Sequence, residues 1–326
     1  MKVLITGANG FIGSSLAKKL VNQKHTVRCF VHSSSNIRWL TDLKAELFYG
    51  NLFDKVSLKN ALKDVDIVYH LAGATKVVNT SDYNRINYIG TKTLIDTIVE
   101  NKIKLRRFLF VSSQAAYGPA NSLEPITENR FPKPLTLYGK SKLKAQQYIE
   151  SFTDRIPFTI IIPSSVYGPR ETDLLDFFKT TKMGIIPKLG GSDKYLSLVH
   201  VNDLTDGMIE AGKSDVANGK KYFLTNPIPY SWSEIARVTL NYFGKGAVRV
   251  NIPLPLMNCV AAATELFSKI TKKQKILSRQ KVIEIKQDFW ICSPAQAKND
   301  FGWEAKIDLE EGIKETLGWY VAKGWL

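Results

Sequence analysis

The chain is poor in cysteine and histidine, holding three of the first (Cys29, Cys259 and Cys292) and four of the second in 326 residues. An odd, scattered set of thiols argues against a disulfide framework, and no zinc-type ligand spacing occurs, so no metal site is expected. The opening "MKVLITGANGFIG" has no basic leader, no long apolar h-region and no cleavage site, so a cytoplasmic protein is expected. Internal repeats and low-complexity linkers are missing too.

What is present is a 44% hydrophobic composition, enough for a sizeable core, and a formal net charge of +15 from 45 basic and 30 acidic side chains. Such a surface attracts polyanions or anionic lipid at long range. The cations are scattered and no aromatic stripe interleaves them, so a solvated basic surface is expected and no nucleic-acid partner. The runs "KIKLRR" (Lys102 to Arg107) and "KKQK" (Lys272 to Lys275) are candidates for a surface role.

Short β-branched runs alternate with helical stretches through the first half: "KVLITG", "TVRCFV", "ELFYG", "DIVYHLAG", "RFLFVSS" and "PFTIIIP". That alternation predicts an α/β fold of the Rossmann type, a doubly wound parallel sheet with right-handed crossovers. Residues 1–169 are read as the dinucleotide-binding domain, with part of 196–225 returning to it. Residues 170–326 are read mainly as a smaller, discontinuous substrate lobe at the carboxyl edge of the sheet. Within it, Pro253 to Lys275 reads as an apolar helix followed by a basic cluster. It is too short and too interrupted to span a bilayer, and is expected to pack as a lid or core helix or, alternatively, to lie on a membrane surface.

Three local patterns carry chemistry. Gly7, Gly10 and Gly13 follow a strand and open a helix, which lets the backbone turn tightly and present a helix N-terminus to a pyrophosphate. Tyr138 and Lys142 stand at i and i+4 on one helix face, so an ammonium can sit beneath a phenol. Lowering a phenol by ~3 units takes about 4 kcal/mol, within reach of a close ammonium plus an oxidised nicotinamide. Ser112 and Ser113 end a buried strand where the nucleotide should lie, and a hydroxyl there can bond a substrate oxygen.

With "GNLFD", "HLAG", "INYIGTKTLI", "YGKSK", "PSSVYGPR", "LVHVNDL" and "FGWEAKIDLEEGIKETLGWY", these patterns make the chain resemble the extended short-chain dehydrogenases/reductases over nearly its whole length. That family includes nucleotide-sugar epimerases and dehydratases, dihydroflavonol reductases and 3β-hydroxysteroid dehydrogenases. The resemblance implies Tyr138 as proton donor or acceptor, Lys142 on the nicotinamide ribose and Ser113 on the reacting oxygen. It implies a cofactor bed of Gly7, Asn9, Gly10, Phe11, Ile12, Gly13, Asn51, Leu52, Leu71, Ala72, Gly73, Pro163 and Ser165. It also places His70 and His200 in the scaffold, and has Asn87 ordering a water or backbone group near the active site. A homodimer of the family type would use the helices carrying Asn87 and Tyr138.

Departures narrow the subclass. Dehydratases of the family carry Thr-Asp-Glu where this chain has Ser113, Gln114 and Ala115, so the acid that expels a hydroxyl is absent. Epimerases commonly show Arg-Pro-x-Asn where Ile162, Pro163, Ser164 and Ser165 stand, although Arg237 and Arg249 could contact a diphosphate. No Asp or Glu occurs between Val27 and Leu40. His32, Ser33, Ser34 and Arg38 could cradle a phosphate there, which favours NADP(H), with NAD(H) as the alternative. The expected function is an NADP(H)-dependent reductase or dehydrogenase of a ketone or secondary alcohol on a hydrophobic small molecule, such as a sphingoid-base, sterol-like or other lipid ketone. The alternatives are a nucleotide-sugar 4-epimerase retaining NAD and a non-catalytic nucleotide-sensing or scaffold protein. The lipid reading adds a peripheral contact with the inner face of a membrane.

Overall fold

The computed structural model describes residues 1–189, 193–253, 255, 257, 264 and 279–326. Its centre is a seven-stranded sheet in the order β3-β2-β1-β4-β5-β6-β11. The strands are β1 (Lys2–Thr6), β2 (Thr26–Val31), β3 (Glu46–Tyr49), β4 (Ile67–His70), β5 (Arg107–Val111), β6 (Phe158–Pro163) and β11 (Lys220–Leu224). Every pairing within it is parallel. Chain order reverses between β1 and β4, so the crevice outside their carboxyl ends is where ligands of such sheets bind.

Alternation along each strand explains the two buried layers. Leu4, Val68, Phe108 and Phe110 face one side, against Leu94, Ile95, Ala145 and Ile149 of helices α3 (Gly90–Glu100) and α4 (Leu137–Glu150). Val3, Ile5, Tyr69 and Leu109 face the other, against Leu16 and Leu20 of α1 (Phe11–Asn22) and Leu204 and Met208 of α6 (Val201–Lys213). Between β3 and β4 runs α2 (Lys55–Ala61), capped by Asp54, which accepts from the amides of Val56 and Ser57.

The rest of the chain builds a second core around Phe178, Ile235, Leu317 and Tyr320. These come from α5 (Leu175–Lys182), α7 (Trp232–Phe243) and α10 (Leu309–Ala322). The helix α7 starts with a complete capping box between Ser231 and Glu234 and stops at Gly244 in the left-handed conformation. Two small sheets flank this core: β7 (Ser165–Tyr167) with β10 (Leu198–His200), and β8 (Ile185–Leu189) with β13 (Val248–Ile252). A third joins β9 (Tyr195–Leu196), β12 (Tyr230–Ser231) and β14 (Phe289–Trp290), while α8 (Arg279–Ile285) buries Val282 beside Met257 and α9 (Ala295–Phe301) packs on the central sheet, Phe301 edge-on to Tyr222 of β11.

One expectation is modified. Of the run Lys102 to Arg107, Arg107 is buried in β5, where its guanidinium donates to Asn218 Oδ1 at 2.8 Å and to the Ser214 carbonyl at 2.9 Å. A cation is tolerated there because it ties the loop before β11 to the sheet. Most of Pro253 to Lys275, with Cys259 and the run Lys272 to Lys275, lies outside the described residues. Among the described residues no helix is long and apolar enough to cross a membrane, and no group of His, Cys, Asp and Glu could hold a metal ion.

The helix α10 lies so close to β7 that a Cβ on Gly312 would come within 2.2 Å of the Tyr167 hydroxyl. Gly312→Ala should therefore destabilise the chain by about 1–3 kcal/mol. The check is a lower urea midpoint with an unchanged slope.

Candidate active site

The chain leaves β1 through Gly7, whose φ of +71° favours glycine, and a Cβ there would lie 2.7 Å from the Ala72 amide nitrogen. A Cβ on Gly13 would meet the Gly7 carbonyl oxygen at 2.2 Å, so the helix α1 packs directly on the turn. Gly10 caps α1 with no side-chain bond, and the first-turn amides of Phe11 and Ile12 follow it without a cap. Such a turn can receive a pyrophosphate at the helix N-terminus; Asn9 is half-buried within it, and Leu71 and Ala72, which precede Gly73, stand against Gly7. Leu71 is fixed by donating its amide to the Thr6 carbonyl at 3.1 Å.

At the end of β2 the Ser34 amide donates to His32 Nδ1 at 3.2 Å, and the Ser34 hydroxyl lies 2.8 Å from the same nitrogen. Ser33 is exposed beside them. Arg38 lays its guanidinium over the Trp39 ring, 4.4 Å from the centroid. Arg170, which no pattern singled out beyond its place in "YGPR", also lies over Trp39, at 4.8 Å, and donates to Ser14 Oγ at 3.0 Å. It reaches the first turns of α1 from the far lobe with a φ of +81°. Asn51 Oδ1 accepts from the Phe53 amide at 2.9 Å, and Leu52 packs under Gly90. Pro163 ends β6, and Ser165, exposed, starts β7.

Ser113 follows β5 in extended conformation and caps a single 3-10 turn, its Oγ accepting from the Ala115 amide at 3.2 Å. Tyr138 and Lys142 lie one turn apart in α4, as their spacing implied. Lys142 is 4% exposed, and its ammonium stands over the Phe110 ring at 4.2 Å. Burial draws it down to about 7. Tyr138 is pushed up to about 12, chiefly by burial; hydrogen bonding to Ser113 opposes this, and the charges of Glu284 and Asp173 add to it. Within the protein alone desolvation outweighs everything the chain sets against it, whereas the expected lowering draws on an oxidised nicotinamide as well. Ser112 is buried, its hydroxyl bonded to Gln146, and Gln114 is buried with no hydrogen-bond partner for its amide nitrogen among the described residues.

Three supports hold these groups. Asn87, fully buried in a π-helical turn (Asn84–Ile89), clamps the loop after β4 to the tyrosine helix. Its Oδ1 accepts from the Ala74 amide at 2.7 Å, and its Nδ2 donates to the Ala74 carbonyl at 3.1 Å and to Ser141 Oγ at 2.9 Å. Asn87 thus orders a backbone group, one of the two roles expected of it.

His70 is the second support. The Thr91 hydroxyl donates to the Asn87 carbonyl at 2.7 Å, so it must accept from His70 Nε2–H at 2.9 Å. His70 Nδ1 then accepts from the Thr6 hydroxyl at 2.6 Å, and Thr6 Oγ1 accepts the Ala72 amide at 3.3 Å. Burial, then Lys142, lowers His70 to about 3, so it stays neutral and fixes this direction of bonding.

The third support is α8, which local sequence gave no reason to place here. Gln280 Oε1 accepts the Leu137 amide at 2.7 Å, and Glu284 Oε1 accepts from the Thr136 hydroxyl at 3.3 Å. Thr136 in turn accepts the Gly139 amide at 3.1 Å. The N-terminus of the tyrosine helix is therefore capped partly by its own threonine and partly by the C-terminal lobe. Only pairing in space reveals this, since the partners are 143 and 148 residues apart.

A dinucleotide cradle at the switch point with Ser113, Tyr138 and Lys142 beside it defines an NAD(P)-dependent oxidoreductase of the extended short-chain type. The chain belongs to the NAD dependent epimerase/dehydratase family, whose model matches residues 3–223. It is 25% identical to a ceramide reductase of Caulobacter vibrioides over 326 residues, 99% of this chain and 96% of that protein. It is likewise 25% identical to the N-acetyl-alpha-D-glucosaminyl-diphospho-ditrans,octacis-undecaprenol 4-epimerase of Escherichia coli, over 97% of this chain and 94% of that one. Among solved structures, a UDP-glucose 4-epimerase from Thermotoga maritima shares the fold with a TM-score of 0.80 and 22% identity over 99% of each chain.

Two outcomes test the electrostatics. Lys142→Met removes a buried cation, and the nucleotide-stripped protein should gain on the order of 3 kcal/mol against urea at pH 7. The unfolded lysine binds its proton up to about 10.5 and the folded one only to about 7, so wild-type stability should rise between those values and the variant's should not. Glu284→Gln removes a charge that raises the phenol. The pH at which Tyr138 loses its proton should then fall, seen as a pH–rate profile displaced downward.

Proposed function

We propose that this oxidoreductase uses NADP(H) to interconvert a ketone and a secondary alcohol on a hydrophobic substrate, a lipid, sphingoid-base or sterol-like molecule. The observation that carries the reaction type is the side-by-side placement of Ser113 and Tyr138, with the buried Lys142 one turn beneath. The cradle fits a dinucleotide because Gly7 and Gly13 leave space no other residue could leave. Once bound, the nicotinamide supplies or takes up a hydride at C4.

Ser113 would hold the carbonyl oxygen, and Tyr138 would give it the proton as the alkoxide forms. A phenol pushed up to about 12 holds that proton at neutral pH, which suits the reducing direction. Lys142, with no acceptor competing for its ammonium among the described residues, would bind the nicotinamide ribose and lower the phenol in the oxidising direction. Asn87 and His70 would keep the cofactor wall and the tyrosine helix in register.

Cofactor choice follows from β2, where His32, Ser33, Ser34 and Arg38 offer donors and no carboxylate to grip a ribose. The hydrophobic substrate is supported by the full-length likeness to a ceramide reductase.

The likeness to an undecaprenol-linked 4-epimerase favours a second reading, a 4-epimerase that keeps its NAD and returns the hydride to the same carbon. Identifying the nucleotide released on denaturation and measuring NADPH and NADH binding separates the two. Exchangeable, NADPH-selective binding is expected, with Tyr138→Phe losing at least about 100-fold of ketone reduction while still binding NADPH. Tightly held NAD, or undiminished activity in Tyr138→Phe, would overturn the reductase.

A further inference from the structure

The ribbon of β8 and β13 sits among cations, with Asp176 and Glu234 back in the first turns of the helices that lead into it and Asp193 beyond the end of β8. Residues 177–189 and 235–252, which include it and the helix ends leading into it, contain Lys179, Lys182, Lys188, Arg237, Lys245 and Arg249 and not one Asp or Glu. Arg237 alone among these is in an ion pair given by the structure, a long one to Glu310 at 3.8 Å. In the same place apolar side chains stand in solvent: Met183 and Val248 are each 70% exposed and Val250 is 42% exposed.

Backbone bonding makes these groups one surface. The Val248 amide donates to the Gly184 carbonyl at 2.8 Å, and Lys245 Nζ donates to the Lys182 carbonyl at 3.0 Å, which seats Met183 beside the start of β13. Parallel register sets Val248 against Ile185 and Val250 against Pro187, so four apolar side chains share one face of the ribbon. Arg249 points to the opposite face. An edge strand exposed at four of its five residues, two of them valine, is ordinarily blunted or covered, and cations flanking solvent-facing aliphatics match an anionic, apolar boundary.

We propose that this ribbon, with the C-terminal end of α5, docks the protein onto an anionic lipid bilayer, Met183, Val248 and Val250 entering the headgroup layer and Lys179, Lys182 and Lys245 around Met183 meeting lipid phosphates. Nucleic acid would also satisfy the charge. It gives no reason for three exposed aliphatic side chains and no aromatic platform among them, which is why the bilayer is preferred. The inference goes beyond the reductase reading, since a surface can dock whichever substrate the site reduces.

The test is co-sedimentation of the full chain with phosphatidylcholine vesicles, with and without phosphatidylglycerol, at low and high salt. Binding to the anionic vesicles at low salt and its release by salt are expected. Lys179→Glu with Lys245→Glu should weaken it by at least about tenfold, since each interfacial cation contributes about 1 kcal/mol. Val248→Ser with Val250→Ser should weaken it at low salt although no charge is changed, and both variants should bind NADPH as the parent does. No binding at low salt, binding unchanged by both variants, or equal binding to neutral vesicles overturns the proposal. So does an apolar variant that changes only the mass of the protein in solution, which would put a second copy on the ribbon. Equal retention of both apolar-variant and parent protein on a duplex oligonucleotide, without vesicle binding, would assign the patch to nucleic acid. NADPH binding is read separately, so failure here leaves the reductase standing.

Discussion

The burial of one ammonium constrains the rest of the site. Lys142 is taken out of water and set over an aromatic ring, at a cost that only an incoming partner can offset. Its helix must be held against the sheet, the loop after β4 must leave it room, and the phenol one turn earlier must face the same opening. Gly73 serves the second need, as a Cβ there would lie 3.0 Å from Asn87 Oδ1 and 3.8 Å from the ammonium. A site assembled around an unfavourable group is preorganised for whatever relieves it, the usual trade of stability for function.

The polar groups around it are arranged so that none has a choice. His70 is neutral across the physiological range, so the sequence Ala72 amide, Thr6, His70, Thr91, Asn87 carbonyl has one direction of donation. Asn87 spends its amide on both backbone groups of Ala74 and on Ser141. A fully satisfied buried network of this kind fixes geometry more tightly than apolar packing can.

Much of the fold was legible because parallel strands and glycine-rich turns leave strong local marks. Alternation of β-branched runs with helical stretches anticipated the doubly wound sheet, and "TGANGFIG" located the turn between β1 and α1. Tyr138 and Lys142 were readable because a four-residue spacing on a helix fixes their neighbourhood without tertiary information. What stayed hidden depends on contacts between distant segments: Arg170 arriving at Ser14, Gln280 and Glu284 at the start of the tyrosine helix, and Arg107 turned inward. The upward push on the Tyr138 phenol was hidden for a related reason, since desolvation is a property of the assembled interior and leaves no trace in local spacing.

The capping of the tyrosine helix by α8 has a consequence for biosynthesis. Six of the seven strands of the central sheet lie before residue 164, and the last ends at Leu224, yet the layers that cover the sheet also take Ile291, Cys292, Ala297 and Trp303 from near the C-terminus. The Leu137 amide and the Thr136 hydroxyl likewise find their partners only in Gln280 and Glu284. Order of synthesis therefore does not separate a nucleotide half from a chemical half, since the sheet's covering layers and the helix bearing the acid are both completed by the last part of the chain to be made.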